Sequence, residues 1–184
     1  LIVAAGTANV IADTEKLTGK RPHPDNFEPT TWFLGQVGRA LSAASLEGAR
    51  CQVFAAARRI GELFEDLDVL VTPTLAHRPV KLHEMDLRPA ERLGLSIVKR
   101  GAPGPMLVKA LESLAAASFE KTANTMLFNM TGQPAMSLPL GWSTEPRLPI
   151  GVQFVGKFGD EGGLFRLAAQ LEAAKPWKHL RPAI

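Results

Sequence analysis

The chain has a single cysteine, Cys51, among 184 residues, so no intrachain disulfide can form and nothing points to an oxidising compartment. It also has no apolar run near the ~20 residues that a membrane span needs. The opening "LIVAAGTANVIA" has no basic flank before it and does not follow a Met, so it reads as the remainder of a helix and not as a signal core. Excess charge is small: the formal net charge is +3, and the basic residues are spread along the chain. A nucleic-acid-binding protein would show a denser basic patch than Arg58-Arg59 or Val98 to Arg100. The expectation is therefore a cytoplasmic protein with neither a nucleic-acid nor a membrane partner.

Signatures of several chemistries are missing as well. No Ser sits in a Gly-x-Ser-x-Gly elbow. The Gly-rich "GAPGP", Gly101 to Pro105, lacks a following Lys-Ser/Thr and does not follow a strand, so it is no phosphate loop. His77 and His83 share one loop at a spacing unlike a helical metal pair, and no acid or sulfur ligand stands at a telling offset. Glu65 and Asp68 in "FEDLD" read as a solvated turn. Ser137 lies inside an apparent strand, and Cys51 in "ARCQVF" reads as a buried, inert thiol. No metal and no cofactor is expected.

What is present suits one domain-sized region, residues 1–184, with 46% hydrophobic residues and an apolar core. A helix is expected from Leu1 to about Leu17. The Pro-rich "TGKRPHPDNFEPTT" should be irregular, with Thr30-Thr31 capping a short helix from Trp32 to about Arg39. Ser42 caps a long helix from Ala43 to about Asp66, with Leu46, Val53, Phe54, Ala57, Ile60, Phe64 and Leu67 on one face. Val69-Leu70-Val71 reads as a short strand buried on both faces and stopped by Pro73. Leu75 to Pro105 is polar, broken by prolines and read as irregular.

A helix from Met106 to about Phe119 follows, and 118–130 either continues it or breaks into turns. "PAMSLPL" and "PIGVQFVG" read as strands joined by a turn containing Gly141 and Pro146, and Asp160 caps a last helix that Pro176 ends. Helices alternating with short apolar strands indicate an α/β fold, a sheet covered by helices.

Taken together, four stretches carry a resemblance. "FNMTGQPAMSLPLGW" followed by "LPIGVQFVGKFGDEGGLFRLAAQLEAAKPW" resembles the C-terminal portion of amidase signature family hydrolases. "DVLVTPT" resembles the strand these enzymes carry upstream of it. "FEPTTWFLGQVGRALSA" is similar to the subgroup of aryl-amidases and 6-aminohexanoate cyclic dimer hydrolase-like proteins. The match spans nearly the whole chain in order, with the Leu75 to Pro105 loop matching poorly.

The resemblance implies a large mixed β-sheet wrapped by helices. It implies hydrolysis of a small-molecule carboxylic amide by a Ser nucleophile with a relay Ser and a Lys, the oxyanion being held by backbone N–H groups. This sequence has no Gly-Ser-Ser-Gly-Gly-like segment and no Lys placed before one. With its start at Leu1, it reads as the C-terminal part of an amidase domain whose N-terminal catalytic half is absent. No catalytic residue is then expected in the chain, which should be inactive alone.

The implied substrate pocket falls on Phe119, Thr122, Met126 and Asn129. In a related glutaminyl-tRNA amidotransferase subunit an acid in this region holds the substrate amine. Here Thr122 stands at that position, which argues against a free amino acid, while Phe119, Met126 and Phe128 favour an apolar or aryl group. Plain core packing is the bland reading of those three. The break at Thr131-Gly132-Gln133-Pro134 is read as architectural, with Gly132 supplying a conformation closed to other residues. Partners follow from the same reading: the missing N-terminal half, and a second copy of the chain in a homo-oligomer. The competing reading is a non-catalytic module that pairs with another chain through an open sheet edge.

Overall fold

The computed structural model describes residues 1–84, 86, 88–99, 103–144 and 147–181. Two compact units emerge: 1–52 with 80–117, and 53–79 with 118–184. Among the described residues, no helix is long and apolar enough to cross a membrane.

The first unit is helical. Helix α1 (Ile2–Thr18) ends at Gly19, whose φ of 67° gives the left-handed cap that releases the chain. On its surface the Lys16 ammonium donates to Asp13 at 2.8 Å. That bond, with the aspartate's charge, holds its pKa above the ordinary lysine value. Helix α2 (Pro29–Ala40) starts three residues before the expected Trp32. Pro29 is the reason: at the first helical position its missing N–H costs nothing and its φ is already helical. Gly38 lets α2 approach α1 closely, because a Cβ there would run into the Ala4 carbonyl and the Ala8 methyl.

Ala4, Phe33 and Val37 form this unit's core with Leu95 of α4 (Pro89–Lys99) and Leu107 of α5 (Gly104–Thr131). Helix α4 overturns the expectation of an irregular stretch from Leu75 to Pro105. Pro89 again sits at a helix start, where it promotes the helix it would break from inside. Gly101, within the "GAPGP" segment, and Arg100 lie outside the described residues, whereas Gly104 and Pro105 open α5.

Helix α3 (Ala43–Leu63) begins where Ser42 accepts from the Ser45 N–H at 3.1 Å, and its later turns enter the second unit. There β1 (Val69–Pro73), β3 (Pro149–Gly156) and β2 (Ala135–Trp142) form one antiparallel sheet in the order β1-β3-β2. The three expected strands thus share a sheet. Pro146, expected in the β2–β3 turn, lies outside the described residues.

Register pairs Leu70 with Val155 and Ala135 with Val155, and Thr72 and Ser137 each with Gln153. Side chains alternate across a sheet, so these residues share one face. Val155, fully buried, packs there with Ile60 of α3, Phe64 just after that helix, Phe128 of α5 and Leu70. On the other face, a Cβ at Gly156 would lie 3.1 Å from Leu164 of α6 (Glu161–Ala174). Helices therefore flank the central strand on both sides.

The edge strand β1 is different. Only Leu70 joins the core and Val71 is 52% exposed, so β1 is not buried on both faces as its unbroken apolar run implied. Phe54 and Leu67, expected on the buried face of α3, are exposed too, and so is Cys51. Among the described residues, the buried cluster under the sheet takes Ile60 from the end of α3 and Phe64 just after it, not these earlier or later positions.

Candidate functional site

Helix α5 runs without a break through 118–130, and its last turns hold the residues expected to face a substrate. Phe119, Thr122, Met126 and Asn129 are spaced by three, four and three residues, so they share one stripe of the helix. Phe119, Thr122 and Asn129 are exposed and Met126 is half-buried. The structure brings all four together. Phe128 does not belong with them: it points to the opposite side and is buried against Val155, so it is core.

The inward side of the same helix segment is tied to the sheet by polar bonds. Gln153, 4% exposed in the middle of β3, donates through Nε2 to the Asn124 carbonyl at 2.9 Å and to Thr72 Oγ1 at 3.1 Å. The Asn124 side-chain amide donates to the Pro73 carbonyl at 2.9 Å. Beyond it, the hydroxyls of Thr74 and Ser137 lie 2.5 Å apart, and Ser137 is exposed. Thr72, Gln153 and Ser137 thus form a polar row across three strands that were expected to be purely apolar. Sequence reasoning passed over Thr72, Thr74, Asn124 and Gln153. The available signal was a polar side chain at every second position, Thr72 and Thr74 after "DVLV" and Gln153 inside "GVQFVG".

Helix α5 ends at Gly132, with φ of 89°, and its N–H donates to the Phe128 carbonyl at 3.0 Å. The buried Thr131 hydroxyl lies 2.5 Å from Gln133 Oε1 and 3.0 Å from the Leu127 carbonyl. Pro134 accepts from the Gly156 N–H at 2.9 Å. These bonds hold the break where the chain turns from helix to strand.

The chemistry available is hydrogen bonding beside apolar contact. Among the described residues, no group of three or more His, Cys, Asp or Glu side chains could hold a metal. His83 bonds to Asp86, Nδ1 to Oδ2 at 2.9 Å. Ser137 is the exposed hydroxyl of the polar row, and the hydroxyl it bonds is that of Thr74, which is no general base.

Comparison with known proteins places the chain in a family. The family model described as Amidase matches residues 3–165. AmiB2 of Mycobacterium tuberculosis (strain ATCC 25618 / H37Rv), an amidase by its name, is 32% identical over 162 residues, 88% of this chain and 30% of that protein. The 6-aminohexanoate-cyclic-dimer hydrolase of Paenarthrobacter ureafaciens is 32% identical over 180 residues, 96% of this chain and 33% of that one. The solved structure of a 6-aminohexanoate cyclic dimer hydrolase superposes with a TM-score of 0.74 at 28% identity, over 97% of this chain and 34% of that chain. The chain spans about a third of the length of the curated relatives it matches.

Proposed function

The chain belongs to the amidase family, and from that premise we propose that it is the C-terminal, substrate-lining part of a cytoplasmic hydrolase of small carboxylic amides. The reacting groups in this reading are a Ser nucleophile, a relay Ser and a Lys outside the chain. The nucleophile's proton passes through the relay Ser and the Lys to the departing amine, and water then releases the acyl group. One relative is named for hydrolysing a 6-aminohexanoate cyclic dimer; we carry over to this chain only the class, a small amide.

The observation that carries the proposal is the stripe on α5. Phe119, Thr122, Met126 and Asn129 point away from the unit's own core, while Asn124 and Phe128 anchor the helix behind them. An apolar ring and a thioether flanking an uncharged hydroxyl suit an apolar or aryl group beside a neutral amide. A free amino acid would bring charges for which Thr122 offers no countercharge.

The test is an assay of the purified chain on a nitroanilide and an aryl ester, alone and joined to an upstream amidase segment carrying the Ser/Ser/Lys set. Turnover is expected only in the joined protein, with Met126→Ala and Phe119→Ala raising KM for the aryl substrate. Activity of the chain alone that survives repurification and is abolished by Ser137→Ala would overturn the proposal.

A further inference from the structure

We infer that Asn124 and Gln153 are positioning residues: their amides fix the rotation of α5 and so set which amides the Phe119–Thr122–Met126–Asn129 stripe accepts. The second half of this statement rests on the reading that the stripe faces substrate. The first half rests on geometry alone.

A helix held to a sheet only by apolar contact is weakly constrained in rotation, because burial is non-directional. Hydrogen bonds are directional and supply the missing constraint. Gln153 reaches from the central strand to the Asn124 carbonyl at 2.9 Å and to Thr72 at 3.1 Å, and Asn124 reaches back to the Pro73 carbonyl at 2.9 Å. One turn of α5 is thereby bonded to β3 by Gln153 and to β1 by its own side chain. Both bonding side chains must donate. A carboxylate at either position would face a backbone carbonyl that can only accept, Pro73 opposite Asn124 and Asn124 opposite Gln153.

Asn124 lies between Thr122 and Met126 in sequence and on the opposite side of the helix. Any rotation the clamp permits is therefore read out at the stripe. At a side-chain radius of about 5–6 Å, a turn of about 20° moves Met126 by about 2 Å.

The five methionines provide a test that needs no activity. With the protein labelled by 13C-methyl methionine, Asn124→Ala and Gln153→Leu are expected to displace the Met126 methyl resonance. Met136, whose register partner Phe154 places it on the other face of the sheet, should stay in place. In Gln153→Glu the Met126 signal should become pH-dependent and return toward its original position as the pH falls. Only the protonated carboxyl can donate to the Asn124 carbonyl. If a Gln153 variant does not fold, the milder Asn124→Ala decides.

A Met126 resonance unmoved in folded variants would overturn the inference, and so would Met126 and Met136 shifting together. In the joined, active protein the same variants should raise KM for an aryl amide by roughly tenfold with a smaller change in kcat. Should the joined protein show no amidase activity, the proposed function fails while the Met126 result still judges the clamp.

Discussion

The hydroxyls of Thr74 and Ser137 meet at 2.5 Å above Gly151, linking the end of β1 to β2 across the strand that separates them. The link exists because Gly151 has no side chain: a Cβ there would lie 2.7 Å from the threonine oxygen and 2.8 Å from the serine oxygen. Gly151→Ala must push both hydroxyls aside. A loss of about 1–3 kcal/mol is expected in urea unfolding. In a Ser137→Ala background the same change should cost less, because one of the two obstructing oxygens is gone. Strict additivity of the two substitutions would show that the hydroxyls are not held over Gly151.

The turn that ends α5 makes a second prediction. Gly132 has φ of 89°, and a Cβ there would also come within 3.2 Å of the Phe158 ring. Gly132→Ala should cost about 1–3 kcal/mol through backbone strain. Gly48, inside α3 with open space around it, is the control: Gly48→Ala should stabilise by about 0.5–1 kcal/mol. Melting temperatures that move in the same direction for both would contradict the assigned backbone geometry.

Cys51 offers a third. It is exposed on α3, with Sγ 4.0 Å from Glu47 Oε1. A thiol-specific reagent should label one equivalent of the native protein without denaturant. Labelling that waits for unfolding would instead restore the buried thiol that the sequence suggested.

The pattern of what the sequence disclosed has physical causes. Strand and helix positions were legible wherever apolar period or a cap marked them, as at Val69-Leu70-Val71 and at Asp160, which accepts from the Gly163 N–H at 3.0 Å. Pro29 and Pro89 misled because proline breaks a helix from within but opens one at its first position, and spacing alone does not tell these apart. Phe119 and Phe128 looked alike in sequence. Nine residues place them on opposite sides of α5, and only one of those sides meets the sheet. The bonds from Gln153 to Asn124 and Thr72 span 29 and 81 residues, and no local pattern encodes a contact at that distance.

The last prediction concerns association. Within the described residues β1 and β2 each pair only with β3, so each has an outer edge that no further described strand covers. Exposed apolar side chains accompany them in the same unit: Val71, Ile150, Phe158 and Phe165. Free strand edges and apolar patches both favour pairing with another chain. Covering on the order of 1,000 Å2, at roughly 25 cal/mol per Å2, would give a large gross gain, part of which is cancelled by the entropy of association. The isolated chain is therefore expected to form dimers or larger species at micromolar concentration, seen by light scattering. Co-expression with an upstream amidase segment should return it to a soluble, monodisperse state by covering the same surface. A monomer that melts cooperatively on its own would show that these edges need no cover. It would move the assignment from a part of an enzyme toward a self-sufficient binding module.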